Sequence, residues 1–129
     1  MKKALLYQGP LIAWAGAIFV LSSLPQVSRV PLPYHLDKLA HAVVYGVLAI
    51  TAHRAFFRQA GSSWLRQHAA ILAVVFALVY GVTDEFHQQF VPGRVSSLLD
   101  LVADAAGAVI TVSILEWRMQ KRTSVTTPN

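Results

Sequence analysis

The sequence contains no cysteine, and this absence removes several kinds of chemistry at once. Disulfides, thiolate metal ligands and a cysteine nucleophile are excluded, while the redox compartment is left undetermined. Glycine-rich phosphate loops, dinucleotide fingerprints and the Gly-x-Ser-x-Gly turn of serine hydrolases are also absent. The chain therefore carries none of these short motifs by which many soluble enzymes are recognised.

Charged residues are scarce as well. They make up 13% of the 129 residues, whereas soluble domains carry about 25%. The hydrophobic fraction is 55%, and the mean hydropathy is +0.50. The net charge is +5, but the Lys and Arg residues are dispersed between apolar runs and make no continuous basic face. We therefore expect a membrane protein, and no nucleic-acid partner.

Four apolar runs are long enough to cross a bilayer as helices, which takes about 20 residues each. Proline and glycine mark the connections between them, as at Pro33, Gly61 and Pro92. The sequence thus predicts an all-α protein: one domain over residues 1–122, a compact bundle of four transmembrane helices, and a disordered tail at 123–129. The predicted helices span about 4–24, 36–57, 69–87 and 98–117.

The basic residues are divided unequally between the two sides of this predicted bundle. Three lie on one side, namely Arg29, Lys38 and Arg94. Eight lie on the other, at positions 2, 3, 54, 58, 66, 118, 121 and 122. Because short cytoplasmic loops hold the excess of Lys and Arg, we expect both termini in the cytoplasm and the loops at 25–36 and 88–97 outside.

Acidic residues number only six, and five of them fall at the predicted outer ends of helices. Asp37 lies at the start of the second helix, Asp84 and Glu85 at the end of the third, and Asp100 and Asp104 at the start of the fourth. A carboxylate at the centre of a membrane helix costs about 2.5 to 3.5 kcal/mol on insertion scales. Such residues need hydrogen-bonding or charged partners, or a functional role. We therefore expect them to form one polar cluster.

Helical spacing places further polar side chains on the same faces, because residues three or four apart are neighbours on a helix. Arg94 joins this face from the outer loop, so we expect a polar pocket that opens outward. Small residues at Gly46, Gly81 and Gly107 would let the helices approach closely, and would also permit a homodimer. The additional polar residues are Lys38, His41, Tyr45, Tyr80 and Gln88.

Two chemical functions fit the cluster. An anionic head group such as a phosphate could be bound by basic side chains, since the planar guanidinium of arginine suits its oxygens. The residues for this role are Arg94, Lys38 and His41. In the second function, Asp84 paired with Glu85 or Asp100 acts as general acid and base at the membrane surface.

Two other interpretations stay open. A divalent cation could be held by His41 with Asp37, Asp84 and Asp100, although no spacing matches a recognised metal motif and we predict no metal cofactor. The cluster could also be purely structural, since buried ion pairs are common and do not by themselves indicate function.

The cluster, taken with its spacing, resembles the VanZ-like family of bacterial membrane proteins. The most specific part is Asp84-Glu85-x-x-Gln88-x-Phe90-x-Pro92-x-Arg94. The resemblance also includes Ser22-Ser23, Asp37-Lys38-x-x-His41-x-x-x-Tyr45, Tyr80-Gly81 and Asp100-x-x-x-Asp104-x-x-Gly107. One residue departs from the family pattern: Asp104 stands where the family usually carries Asn.

This resemblance implies a small integral membrane protein, and the name-giving member is associated with resistance to the glycopeptide teicoplanin. It does not imply a molecular activity. We expect a multi-pass protein of the bacterial cytoplasmic membrane with its pocket on the extracytoplasmic side. The expected partner is a membrane lipid or a lipid-linked cell-wall intermediate.

The preferred hypothesis is therefore a head-group-binding pocket. If the protein is an enzyme, Asp84 and Glu85 are the candidate catalytic residues of a hydrolase or transferase. The candidate ligand-binding residues are Asp37, Lys38, His41, Tyr45, Tyr80, Gln88, Arg94, Asp100 and Asp104.

Overall fold

The computed structural model describes residues 2–25, 33–59 and 61–125, and all regular structure within them is helical. The described residues form four long helices and a short one: α1 Lys2–Ser22, α2 Tyr34–Phe57, α3 Ser63–Gln67, α4 Ala69–Gln88 and α5 Leu98–Val125. The long helices contain stretches apolar enough to cross a membrane, at Leu5–Ser22, His35–Phe57, Ala69–Gln88 and Leu98–Ser124. The prediction of an all-α chain with four such segments is confirmed.

The structure differs from the predicted helices by more than two residues at two places. The short helix α3 lies in the loop where only a turn was expected, and it begins after Ser62, whose Oγ accepts a hydrogen bond from the Leu65 amide at 3.2 Å. Helix α5 continues past position 117 to Val125, because residues 118–125 contain good helix formers and neither glycine nor proline. The first three residues of the predicted disordered tail are therefore helical.

Residues 126–129 of that tail lie outside the described residues, as do residues 26–32 of the predicted outer loop.

One end of the bundle carries most of the carboxylates, and we call it the acidic end. Here α1 and α4 end while α2 and α5 begin. Ser23, directly after α1, lies 3.0 Å from His87 of α4 between Oγ and Nε2. Lys38 of α2 forms an ion pair with Asp100 of α5. The side chains that the sequence places at helix ends thus meet at one level of the bundle.

At the opposite end, the basic end, α1 begins while α2 and α5 end. Gln8 donates from Nε2 to Gln59 Oε1 at 2.9 Å, and the guanidinium groups of Arg54 and Arg58 lie over the ring of Tyr7. The last turns of α5 add Arg118, Lys121 and Arg122. The two ends therefore differ in the sign of the charge they carry.

Helix α2 is the centre of the bundle and contacts α1, α4 and α5. Its packing against α5 is very close: a Cβ at Gly107 would lie 2.0 Å from the carbonyl oxygen of Ala42, and one at Gly46 would lie 2.6 Å from Thr111 Oγ1. The expected close approach at these glycines is confirmed. The core uses small side chains for the same reason, with Ala49, Ala52, Ala73, Ala77 and Ala108 all buried.

Large apolar side chains cover the outside of the bundle. Val79 and Phe86 of α4 and Ile110 and Trp117 of α5 are more than half exposed. In water such a surface would be unfavourable, whereas lipid solvates it.

Candidate functional site

The acidic end contains an ion cluster that joins α2 to α5. The Nζ atom of Lys38 lies 3.1 Å from Asp37 Oδ2 and also contacts Asp100 Oδ1. Asp100 is buried at 7% exposure, so its charge needs this partner. The cluster fixes the first turn of α2 against the first turn of α5.

His41 follows one turn further along α2 and forms a second link to α5. Its Nδ1 lies 3.0 Å from Oδ1 of Asp104, and its Nε2 lies 4.0 Å from Oδ2 of Asp100. Asp104 is 1% exposed. A buried carboxylate on one ring nitrogen orients the imidazole and leaves the other nitrogen for a further partner.

Asp84 of α4 is the centre of a third set of contacts. Its Oδ2 accepts hydrogen bonds from the Tyr45 hydroxyl at 3.3 Å and from Gln88 Nε2 at 2.9 Å. Asp84 is 6% exposed and Tyr45 is 2% exposed, so α2 and α4 are joined by a buried hydrogen-bond pair. Because Gln88 lies four residues after Asp84, both side chains share one face of the helix.

Arg94 reaches this set from the loop between α4 and α5. Residues 91–94 form a turn in which the Arg94 amide donates to the Val91 carbonyl at 3.1 Å, with Pro92 second and Gly93 third at φ 78°. Pro at the second position and Gly with positive φ at the third suit a type II turn. The guanidinium donates from Nη1 to Gln88 Oε1 at 3.3 Å and from Nη2 to the Leu21 carbonyl at 2.8 Å.

Two predicted site residues lie apart from these contacts. Glu85 accepts a hydrogen bond from the Ser97 amide at 2.9 Å through Oε2, so it satisfies the backbone just before α5. The Tyr80 hydroxyl donates to the Ala15 carbonyl at 2.6 Å and ties α4 to α1. Of the two adjacent carboxylates, Asp84 lines the cavity described below and Glu85 does not.

A cavity of about 260 Å³ adjoins the polar contacts, between α1, α2 and α4. Its polar lining is Ser22, Asp37, His41, Tyr45, Asp84, Gln88 and Arg94. The remaining lining is apolar: Trp14, Ala17, Ile18, Leu21, Ala40 and Val44. Leu21, Ala17 and Ala40 are exposed, so the cavity opens at the surface of the bundle. Lys38, Glu85, Asp100 and Asp104 are not part of its lining.

The geometry also provides a set of metal-ligand atoms. One atom each from Asp37, His41 and Asp100 lies within 4.8 Å of the others, whereas Asp84, the fourth residue of the predicted set, is not part of this group. Lys38 contacts both carboxylates of the group, so its ammonium already supplies a cation there. A metal ion at this point would have to displace that ammonium.

The contribution of α1 to the site was not foreseen beyond Ser22. Trp14 lines the cavity, and its indole Nε1 donates to the Val44 carbonyl at 3.0 Å. A Trp in the middle of an apolar helix needs a partner for its N–H group, which is the one signal that pointed to this contact.

A family model described as VanZ/LLP1 matches residues 7–118, which is most of the chain. Neither the curated proteins nor the solved structures contain a match to this sequence.

Proposed function

We propose that this chain, which belongs to the VanZ/LLP1 family, binds the head group of a membrane lipid or of a lipid-linked phosphate. The observation that carries the proposal is the composition of the cavity. Carboxylate, imidazole, amide and guanidinium groups line one part of it, and Trp14, Ile18 and Val44 line another. An amphiphile needs both kinds of surface, one for its polar head and one for the first part of its chain.

Arg94 is the group best placed to contact a phosphate. It lines the cavity and its guanidinium is held by Gln88 and by the end of α1. A planar guanidinium held in this way presents donors in a fixed direction, which favours the oxygens of phosphate. His41 lines the same cavity and is the second candidate donor or acceptor.

Lys38 takes a different role in this proposal from the one expected from the sequence. Its ammonium contacts Asp37 and Asp100 and it is not part of the cavity lining. It therefore orders the acidic side chains around the cavity, while Arg94 provides the direct contact.

The membrane setting follows from the four apolar helices, which together with the family indicate a multi-pass membrane protein. We propose that it resides in the bacterial cytoplasmic membrane with the basic end in the cytoplasm and the cavity outside, because Lys and Arg favour cytoplasmic loops. The partner would then be an outer-leaflet lipid or a lipid-linked cell-wall intermediate, as suits a family associated with teicoplanin resistance. A reporter fused after Asn129 tests this orientation, and extracytoplasmic activity of the reporter would contradict it.

Native mass spectrometry of the detergent-solubilised full chain tests the binding proposal. Phosphatidic acid and phosphatidylglycerol with equal acyl chains are the probes. We expect Arg94→Gln to lower retention of both lipids about tenfold, because a charge-assisted contact is lost. Arg118→Gln, at the exposed basic end, is the matched control and should retain both lipids. Unchanged retention in Arg94→Gln, with helicity intact, would rule out this role of Arg94.

A second candidate function is hydrolysis of a lipid-linked substrate, and the contact between His41 and Asp104 favours it. A carboxylate on Nδ1 holds the imidazole so that Nε2 can accept a proton from water. Asp84 faces the same cavity and is the alternative acid or base. Release of phosphate or alcohol from a lipid-linked substrate that stops in His41→Gln or Asp84→Asn would establish catalysis. Retention without turnover in the unaltered protein would leave binding as the function.

A further inference from the structure

One carboxylate of the cavity lining has an oxygen without a hydrogen-bond partner among the described residues. Asp84 uses only Oδ2 for its contacts with Tyr45 and Gln88. Its Oδ1 accepts no hydrogen bond from the residues that the structure describes, and it is not one of the atoms sealed from solvent. Asp84 lines the cavity, and Oδ1 is the oxygen of its carboxylate that these hydrogen bonds leave available to a ligand. Asp37 adds a second carboxylate to the lining.

The charges around the cavity favour a ligand that carries a cation. Five of the six carboxylates in the chain lie at the acidic end. Among the residues that the structure describes, the side chains there with a permanent positive charge are Lys38 and Arg94. Lys38 is already paired with two carboxylates. A ligand that brought only negative charge would therefore enter an unfavourable field, whereas a ligand that also carries a cation would complement it.

The anion site and the free carboxylate oxygen are close neighbours. Gln88 accepts from Arg94 through Oε1 and donates to Asp84 through Nε2, at 3.3 and 2.9 Å. One amide group thus separates the guanidinium from the carboxylate. A small head group with opposite charges at its two ends can reach both.

We infer that the head group bound in this cavity is zwitterionic, with a phosphate at Arg94 and a protonated amine that donates hydrogen bonds to Asp84. This inference rests on the proposed function, and it names the class of ligand: phosphoethanolamine-type head groups. The apolar lining from α1 and α2 then contacts the glycerol and the first part of the acyl chains.

Competition among lipids of equal acyl composition tests the inference by native mass spectrometry of the full chain. Phosphatidylethanolamine, phosphatidylglycerol and phosphatidic acid are supplied in equal amounts. We expect phosphatidylethanolamine to be retained about tenfold over phosphatidic acid, a ratio that corresponds to about 1.4 kcal/mol. Equal retention, or a preference for phosphatidic acid, would overturn the inference.

Asp84→Asn separates the amine contact from the phosphate contact. The amide is isosteric but carries no charge, so the preference for phosphatidylethanolamine should fall to about twofold or less. Glu116→Gln makes the same chemical change at the basic end and should keep the full preference. A preference that survives Asp84→Asn would overturn the inference. If instead the proposed head-group binding at Arg94 is wrong, the total amount of lipid retained by Arg94→Gln is unchanged.

A methylation series of the lipid tests the inference in the unaltered chain, in case Asp84→Asn does not fold. Phosphatidylethanolamine, its N-methyl and N,N-dimethyl forms and phosphatidylcholine keep the positive charge while the N–H donors are lost one by one. Retention should fall along this series if Asp84 accepts a hydrogen bond from the amine. Equal retention of phosphatidylcholine and phosphatidylethanolamine would contradict it.

Discussion

Two histidines of α2 each contact a carboxylate of α5, one at each end of the bundle. In one pair the carboxylate is the more buried partner, and in the other pair the histidine is. At the acidic end His41 Nδ1 lies 3.0 Å from Asp104 Oδ1, and at the basic end His53 Nε2 lies 2.6 Å from Glu116 Oε1. The side chain of His41 is 19% exposed and its carboxylate 1%, whereas His53 is 3% exposed and its carboxylate 35%. Each pair joins α2 to α5.

The difference lies in which partner faces open space. His53 stacks on Phe57 at 5.6 Å between ring centroids, and of this pair only the carboxylate is exposed at the surface of the bundle. His41 faces the cavity, and its carboxylate partner is buried behind it. One pair is thus a link between two helices with no access to the cavity, while the other presents an oriented imidazole to it. Spacing along the sequence does not distinguish the two pairs.

The largest loss of stability is expected when both histidine–carboxylate pairs are broken at once. Gly107→Ala places a Cβ 2.0 Å from the Ala42 carbonyl oxygen, so α5 has to move away from α2. We expect a loss of about 3 kcal/mol in the free energy of unfolding, measured by denaturant titration in detergent. Gly16→Ala is the matched control, because a Cβ there meets nothing within 4 Å. Equal stability of the two variants would show that the close packing of α2 on α5 is not required.

Removal of one carboxylate at a time compares the two pairs directly. Asp104→Ala should cost about 2 to 3 kcal/mol of unfolding free energy, because it leaves a void and removes the buried partner of His41. Glu116→Ala should cost about 1 kcal/mol, since water can take the place of a partly exposed carboxylate at His53. Thermal unfolding of both variants gives the comparison, and a larger loss in Glu116→Ala would refute it.

Asp104→Asn is the conservative companion of that test. An amide keeps a hydrogen bond to His41 and the volume of the side chain, so we expect a loss below about 1 kcal/mol. A loss as large as that of Asp104→Ala would mean that the charge, rather than the hydrogen bond, holds the pair together.

A smaller loss of stability is expected when a hydrogen bond between α4 and α1, which forms one wall of the cavity, is removed. Tyr80→Phe removes the hydrogen bond to the Ala15 carbonyl, and such bonds between membrane helices contribute about 0.6 kcal/mol. The melting temperature should therefore change little. Lipid retention should fall clearly, because α1 forms one wall of the cavity. Retention of lipid at the unaltered level would show that this bond does not shape the cavity.

Much of the helical architecture could be predicted because apolar run length and the positions of Pro and Gly decide where membrane helices begin and end. Helix α3 was missed because five residues are too few for a periodic pattern, and only Ser62 as a cap indicated it. The end of α5 was placed too early because the prediction followed hydropathy, whereas the helix continues through polar helix formers.

The candidate site could be predicted in part. The convergence of Asp37, His41, Asp84 and Asp100 follows from their positions at helix ends once the helices alternate in direction. The partner of each side chain could not be predicted, because rotation of each helix about its axis depends on packing. For example, Glu85 is adjacent to Asp84 in sequence but bonds the backbone at Ser97.

The sequence alone determined four membrane-length helices and the level at which the scarce carboxylates meet, because hydropathy and helical rise depend only on the order of residues. The tertiary structure decided which of those residues line a cavity and which are paired behind it. Asp84 and Arg94 belong to the first group, while Lys38 and Asp104 belong to the second. For Lys38 and Asp104 the physical reason is the close contact of α2 and α5 at Gly107, which limits how these two helices can rotate against each other and so brings their polar side chains together.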